Sequence, residues 1–124
     1  MGELPTTKQV VESQLAELSK SIRTARYDVV FPSRAFEKKF DKFLSRVPKP
    51  DQQLIAGIIE RLADDPTPRA DTFKFLKVPI WVSQCLAQYR ARIGDYRIFY
   101  DVDWEGKKVI LLALKRKDEA TYKG

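Results

Sequence analysis

The chain has 124 residues, which is enough for one domain with a core of its own. It contains no histidine and a single cysteine, Cys85, so a Ser-His-Asp triad, a Cys-His metal site and an internal disulfide are excluded. With 23 Lys and Arg against 17 Asp and Glu, the net charge of +6 favours polyanionic partners such as nucleic acid or an acidic protein.

The first predicted element is a helix over residues 7–24. Four aliphatic side chains recur there at spacings of four, three and four, namely Val11, Leu15, Leu18 and Ile22. This spacing places them on one face of a helix that Thr6 or Thr7 can cap. The apolar stripe needs a cover, which is either the rest of the domain or a second copy or partner chain. We assign residues 1–26 to an N-terminal helical extension.

A strand and two helices are predicted next. Residues 27–31, YDVVF, are rich in β-forming side chains and end at Pro32. Ser33 can then cap a helix over residues 34–47, and Asp51 can cap a second helix that ends at the Asp-Asp-Pro of residues 64–66. The apolar stripes of the two helices are formed by Phe36, Phe40 and Leu44, and by Leu54, Ile55, Ile58, Ile59 and Leu62. The short link between them favours a helical hairpin.

The rest of the chain predicts an antiparallel sheet. Residues 73–93 are strand-like but contain Pro79, which predicts an irregular edge followed by the first arm of a β-hairpin. The second arm covers residues 96–103, and residues 108–115 form an apolar run typical of an interior strand buried on both faces. The predicted fold class is α+β, with a helical hairpin packed on a twisted, mainly antiparallel sheet and an extra N-terminal helix.

The sequence RARIGDYRIFY, residues 90–100, predicts the register of the β-hairpin. If Gly94 and Asp95 form a two-residue loop, Arg92 pairs with Arg97. The pleat then separates an apolar face from a second face, which carries Arg90, Arg92, Arg97 and Phe99 and which we call the arginine face. Like charges directly across a ladder repel, so we expect this face to be an open groove floor that binds an anion, with Phe99 available to stack on a base.

Further polar side chains follow the last predicted strand. Lys115 and Arg116 emerge at its end, and Tyr122 follows a few residues later. Guanidinium groups bind phosphate through two-point contacts and stabilise the negative charge that grows during phosphoryl transfer. Without histidine, Tyr122 is the candidate general base, which requires neighbouring cations that favour its ionised form.

Two segments, YRARIGDYRIFYDV and VILLALKRKDEATY, resemble the C-terminal half of RelE-like members of the RelE/ParE superfamily of toxins from type II toxin–antitoxin systems. The resemblance extends over residues 27–124, which we assign to a RelE-like toxin domain. It implies a ribosome-dependent mRNA endonuclease, or mRNA interferase, in which a 2′-hydroxyl attacks the adjacent phosphate without a metal ion or other cofactor. The implied catalytic residues are Arg92, Arg97, Arg116 and Tyr122, and the RNA-binding residues are Arg90, Phe99, Lys115 and Lys117.

The resemblance also implies partners and leaves alternatives open. The expected partners are a cognate antitoxin, the ribosome and mRNA, and the chain can form a homo-oligomer or a hetero-oligomer with the antitoxin. No apolar stretch is long enough for a bilayer and no secretory signal is recognisable, so we expect a cytoplasmic protein. The alternatives are a ParE-like toxin that inhibits DNA gyrase without nuclease activity, and a non-catalytic RNA-binding relative.

Overall fold

The computed structural model describes residues 26–69 and 72–118, and the predicted helix at 7–24 and Tyr122 lie outside these ranges. The helices and strands of the described residues are β1 Asp28–Val30, α1 Arg34–Ser45, α2 Lys49–Asp64, β2 Phe73–Val82, β3 Cys85–Ile93, β4 Tyr96–Asp103 and β5 Lys108–Arg116. The strands form one sheet in the order β1-β5-β4-β3-β2. All neighbouring strands are antiparallel except β1 and β5, which are parallel. The predicted α+β class and helical hairpin are confirmed.

The two helices begin differently. Ser33 caps α1 as predicted, because its side-chain oxygen accepts a hydrogen bond from the Phe36 amide at 3.5 Å. The predicted Asp51 cap of α2 is wrong: this helix begins at Lys49 after Pro48, without a side-chain cap. Asp51 lies in the first turn, where a carboxylate still interacts favourably with the helix dipole.

The edge strand β2 is irregular at the predicted proline. Its first residues, Phe73–Phe75, pair with residues 89–91 of β3, and its last residues, Ile80–Val82, pair with residues 85–87, with a register shift between the two groups. Pro79 lies within the shifted segment, where the loss of an amide donor breaks no regular ladder. A turn that the sequence did not predict lies at residues 83–84, where Ser83 has a φ of 56° and β2 turns back into β3.

The main core lies between the helices and one face of the sheet, which we call the helix face. Large apolar side chains of α1 and α2 pack there on the sheet residues Tyr89, Ala91, Ile93, Tyr96, Ile98 and Tyr100. The interior strand β5 adds Val109, Leu111 and Leu114 to this core, whereas its Leu112 is buried on the opposite face. Burial of β5 on both faces is therefore confirmed.

The opposite face, the arginine face, has a small core of its own. Four buried side chains contribute to it: Leu76, Ala87, Phe99 and Leu112. Leu76 comes from the irregular part of β2, and Phe36 of α1 packs against the cluster as well. The expectation that this face is an open groove floor is therefore wrong over its central part, because apolar side chains from four strands cover one another there.

Candidate nucleic-acid interface

The central hairpin has the predicted register. Ile93 pairs with Tyr96, Arg92 with Arg97, and Arg90 with Phe99. Gly94 has a φ of +52°. A residue with a Cβ atom is strained in this conformation, whereas glycine adopts it readily at the first position of a two-residue loop. The loop therefore places Arg92 and Arg97 directly opposite each other on the arginine face.

The cations of the arginine face form two rows across the sheet. Lys115 pairs with Arg97, which pairs with Arg92, so one row crosses β5, β4 and β3. Lys74 of β2 pairs with Arg90 of β3 in the next row. Cross-strand partners have Cβ atoms about 5 Å apart, so these five cations share one end of the face. Lys74 was missed from the sequence, because its position depends on the unanticipated turn between β2 and β3.

Arg97 is held by the backbone of its own hairpin. Its Nη1 atom donates hydrogen bonds to the carbonyl oxygens of Gly94 and Tyr96, each at 2.8 Å, and the residue is 9% exposed. Carbonyl dipoles thus stabilise the charge of Arg97, and this interaction offsets part of its repulsion from Arg92 across the ladder. Arg92, by contrast, is exposed on the neighbouring strand and can reach a ligand.

Phe99 cannot be the expected stacking platform. Its ring is 1% exposed and lies in the small core of the arginine face. Stacking requires an open ring face, which is absent in this packing. The correction follows from Leu76 and Leu112, which come from segments far apart in the sequence and cover the ring together.

Arg116 lies on the other side of the sheet. It pairs with Tyr96, whose side chain belongs to the helix face. There the Tyr96 hydroxyl donates to Asp51 Oδ2 at 3.4 Å. Burial and the Asp51 carboxylate raise the pKa of Tyr96, and the Arg116 charge opposes them. The expected convergence of Arg116 with Arg92 and Arg97 is therefore wrong for this residue.

The chain beyond β5 is fastened to the hairpin loop. The Lys117 amide donates to the Asp95 carbonyl oxygen at 2.7 Å, so this residue lies beside the loop that joins β3 and β4. Its side chain is exposed, as are those of Lys115 and Arg92. The loop end of the sheet therefore carries an exposed cluster of positive charge, suited to a phosphate chain.

Two classes of feature are absent from the described ranges. Within residues 26–69 and 72–118, no group of three His, Cys, Asp or Glu side chains is placed to hold a metal ion. In the same ranges, no helix combines the length and the apolar character needed to cross a bilayer.

The fold and the sequence are similar to those of known toxins. A solved RelE, in the archaeal RelE–RelB complex of Pyrococcus horikoshii OT3, shares 27% identity with a TM-score of 0.56, covering 77% of this chain and 99% of that one. The toxin–antitoxin complex RelBE2 of Mycobacterium tuberculosis matches with 23% identity and a TM-score of 0.48, covering 73% and 98%. A search of curated proteins found no match.

The family comparison covers most of the chain. The family described as "ParE toxin of type II toxin-antitoxin system, parDE" matches residues 11–120, which include all the described strands and helices. The fold is that of the RelE toxins. The chain is therefore a member of the ParE toxin family of type II toxin–antitoxin systems, within the RelE/ParE superfamily.

Proposed function

We propose that this toxin cleaves mRNA on the ribosome and binds the phosphates next to the scissile bond through the cations at the loop end of the arginine face. The observation that carries the proposal is the row formed by Lys115, Arg97 and Arg92 across three adjacent strands. Like charges directly opposite one another destabilise a sheet, whereas the phosphates of an RNA backbone interact favourably with a row of cations. The nearby pair of Lys74 and Arg90 extends the same surface.

The proposed reaction is an internal displacement. The 2′-hydroxyl of one nucleotide loses its proton and attacks the adjacent phosphorus, while the bond to the 5′-oxygen of the next nucleotide breaks and that oxygen gains a proton. Negative charge grows on the phosphoryl oxygens, where the exposed Arg92 guanidinium stabilises it. Tyr122 is the proposed base. Arg97 positions the hairpin loop through its two carbonyl contacts, and we do not assign Arg116 to the reacting phosphate.

A cognate antitoxin is the proposed inhibitor. The RelE of Pyrococcus horikoshii is solved in complex with RelB, and this chain shares its fold. An antitoxin segment that neutralises the arginine face would need acidic side chains opposite Arg92 and Lys115. Inhibition would then occur by direct competition with RNA phosphates.

Inhibition of DNA gyrase is the second candidate. The family description names the ParE toxin. Within the RelE/ParE superfamily that this chain resembles, the ParE-like toxins are the ones that inhibit gyrase. A gyrase inhibitor does not need a base at Tyr122. Removal of the Tyr122 hydroxyl therefore distinguishes the two functions, because it should abolish RNA cleavage and leave gyrase inhibition unchanged.

Mapping of cleavage sites tests the proposal. Primer extension on an mRNA in a purified bacterial translation reaction should show new 5′ ends at the decoding position. We expect Tyr122→Phe to lose cleavage, because no base remains, and Arg92→Ala to slow it by about 10²-fold, the usual effect of removing one charge-stabilising donor. Lys108→Ala is the matched control, since Lys108 is an exposed cation at the opposite end of β5.

A supercoiling assay with purified gyrase is run with the same four proteins. An intact message together with inhibited supercoiling, equal in wild type and Tyr122→Phe, would overturn the nuclease proposal in favour of gyrase. An equal loss of cleavage in Lys108→Ala and Arg92→Ala would also contradict it, since net charge alone would then explain the effect.

A further inference from the structure

The helix face ends in a row of aromatic rings, two of which are exposed. Phe75, Tyr89, Trp104 and Tyr27 follow one another with ring-centroid distances of 5.3, 6.2 and 6.0 Å, and we call them the aromatic row. Trp104 Nε1 donates to the Tyr89 hydroxyl at 3.2 Å, which fixes the middle of the row. Phe75 is 50% exposed and Trp104 is 42% exposed. Two large rings, both in contact with the buried Tyr89, are thus left partly in water.

The helix layer stops just before this row. Phe73 at the start of β2 is fully buried, and the Arg61 guanidinium of α2 lies 5.5 Å from the centre of its ring. Phe75 follows two residues later, on the same side of the strand, and α2 no longer covers it. Covering the exposed half of such a ring removes apolar surface from water, which stabilises the packed state. A further helix or strand packed on the aromatic row would therefore stabilise the domain.

The N-terminal segment reaches the domain at this row. The amides of Arg26 and Tyr27 both donate to the Ala63 carbonyl oxygen, at 3.1 and 2.8 Å, so the chain enters beside the end of α2. Tyr27 is itself the last ring of the aromatic row. Whatever precedes residue 26 is therefore tethered next to Trp104.

The length and pattern of the preceding chain match the row. Val11, Leu15, Leu18 and Ile22 form an apolar stripe at helical spacing, and its last member precedes Arg26 by four residues. In a helix, the stripe from Val11 to Ile22 is about 16 Å long, close to the length of three ring-to-ring steps. A tethered segment is present at an effective concentration in the millimolar range, which favours it over a second copy or a separate partner.

We propose that residues 7–24 dock on the aromatic row as a third helix of this domain, with their aliphatic stripe against Phe75 and Trp104. A free helix of this length is only marginally stable in water, so the docking contact supplies its stability. The segment is then an integral part of the fold, and the sheet has three helices on one side.

Amide hydrogen exchange of the full chain tests the docking. We expect peptides from residues 7–24 to exchange at least about 10-fold more slowly than a free chain, independently of protein concentration. Leu15→Glu places a charge in the stripe and should abolish this protection while leaving the exchange of the sheet unchanged. The same variant should make Trp104 more accessible to a fluorescence quencher.

Phe75→Glu tests the other side of the contact, and Trp81→Glu is its matched control. Trp81 is 69% exposed near the far end of the same strand, outside the aromatic row. Loss of protection in Phe75→Glu but not in Trp81→Glu supports the docking. Free exchange of residues 7–24 in the wild type would overturn it, as would protection that survives Leu15→Glu or that appears only on dimerisation or after addition of an antitoxin.

Discussion

At the scale of single residues, two opposed arginines have different roles. Arg97 is only 9% exposed and donates hydrogen bonds to two carbonyl oxygens of the hairpin, whereas Arg92 across the ladder is exposed. A buried cation with backbone acceptors stabilises the loop, and an exposed cation is available to a ligand. We therefore expect alanine at either position to weaken the proposed RNA cleavage, for different physical reasons.

Unfolding experiments separate these two reasons. We expect Arg97→Ala to lower the free energy of unfolding by about 2 kcal/mol, because two charge-assisted hydrogen bonds are lost and their carbonyl acceptors are left at the loop. Arg92→Ala should change the same quantity by less than about 0.5 kcal/mol, as is usual for an exposed side chain. Urea titrations followed by circular dichroism measure both values. Equal destabilisation by the two variants would refute the assigned difference.

At the scale of elements, glycine is required by the backbone conformation of the hairpin loop but not by that of the second helix. Gly94 has a φ of +52° in the loop between β3 and β4, where a side chain is strained. Gly57 lies inside α2, and a Cβ atom built on it meets nothing within 4 Å. The helix interior therefore has room for a methyl group that the loop conformation disfavours.

A pair of alanine substitutions checks this contrast. We expect Gly57→Ala to raise the free energy of unfolding by about 0.5–1 kcal/mol, because alanine loses less backbone entropy than glycine in a helix. Gly94→Ala should lower it by about 1 kcal/mol through strain in the left-handed conformation. Thermal unfolding of both variants provides the measurement, and a stabilising Gly94→Ala would show that the loop adopts another conformation in solution.

At the scale of the whole molecule, five of the 23 Lys and Arg residues of this basic chain lie together on one surface. Five cations of the arginine face occupy two adjacent rows, on the side of the sheet opposite most of the helical packing. Positive charge gathered on one surface attracts a polyanion more strongly than the same charge scattered over the molecule. The global charge and the local site therefore point to the same class of ligand.

Salt dependence of RNA binding measures this contribution. The logarithm of the binding constant for a single-stranded RNA should fall linearly with the logarithm of salt concentration, with a slope of about −0.7 for each phosphate that is neutralised. We expect Arg92→Ala to reduce the slope by about 0.7 and Lys108→Ala to leave it unchanged. Fluorescence anisotropy at four or more salt concentrations gives both slopes. Identical slopes for wild type and Arg92→Ala would place the RNA elsewhere.

The sequence by itself determined the features that depend on neighbouring residues. The Gly94 loop and strict alternation predicted the register from Arg90–Phe99 to Ile93–Tyr96, and this register is observed. Ser33 predicted the start of α1, and the apolar run of β5 predicted an interior strand. Turn geometry, capping and pleating each depend on a few neighbouring residues, so they can be predicted without knowledge of the rest of the fold.

Only the tertiary structure decided which side chains share the site. Strict alternation along β5 from Val109 would place Arg116 on the arginine face, but a register shift opposite Phe99 and Tyr100 inserts Leu112 as an extra residue. That single insertion sends Arg116 to the helix face and Lys115 to the arginine face, because each added residue reverses the pleat. Burial of Phe99 likewise depends on its packing in one cluster with Leu76 of β2 and Leu112 of β5. Such contacts join distant segments, and only the packed structure specifies them.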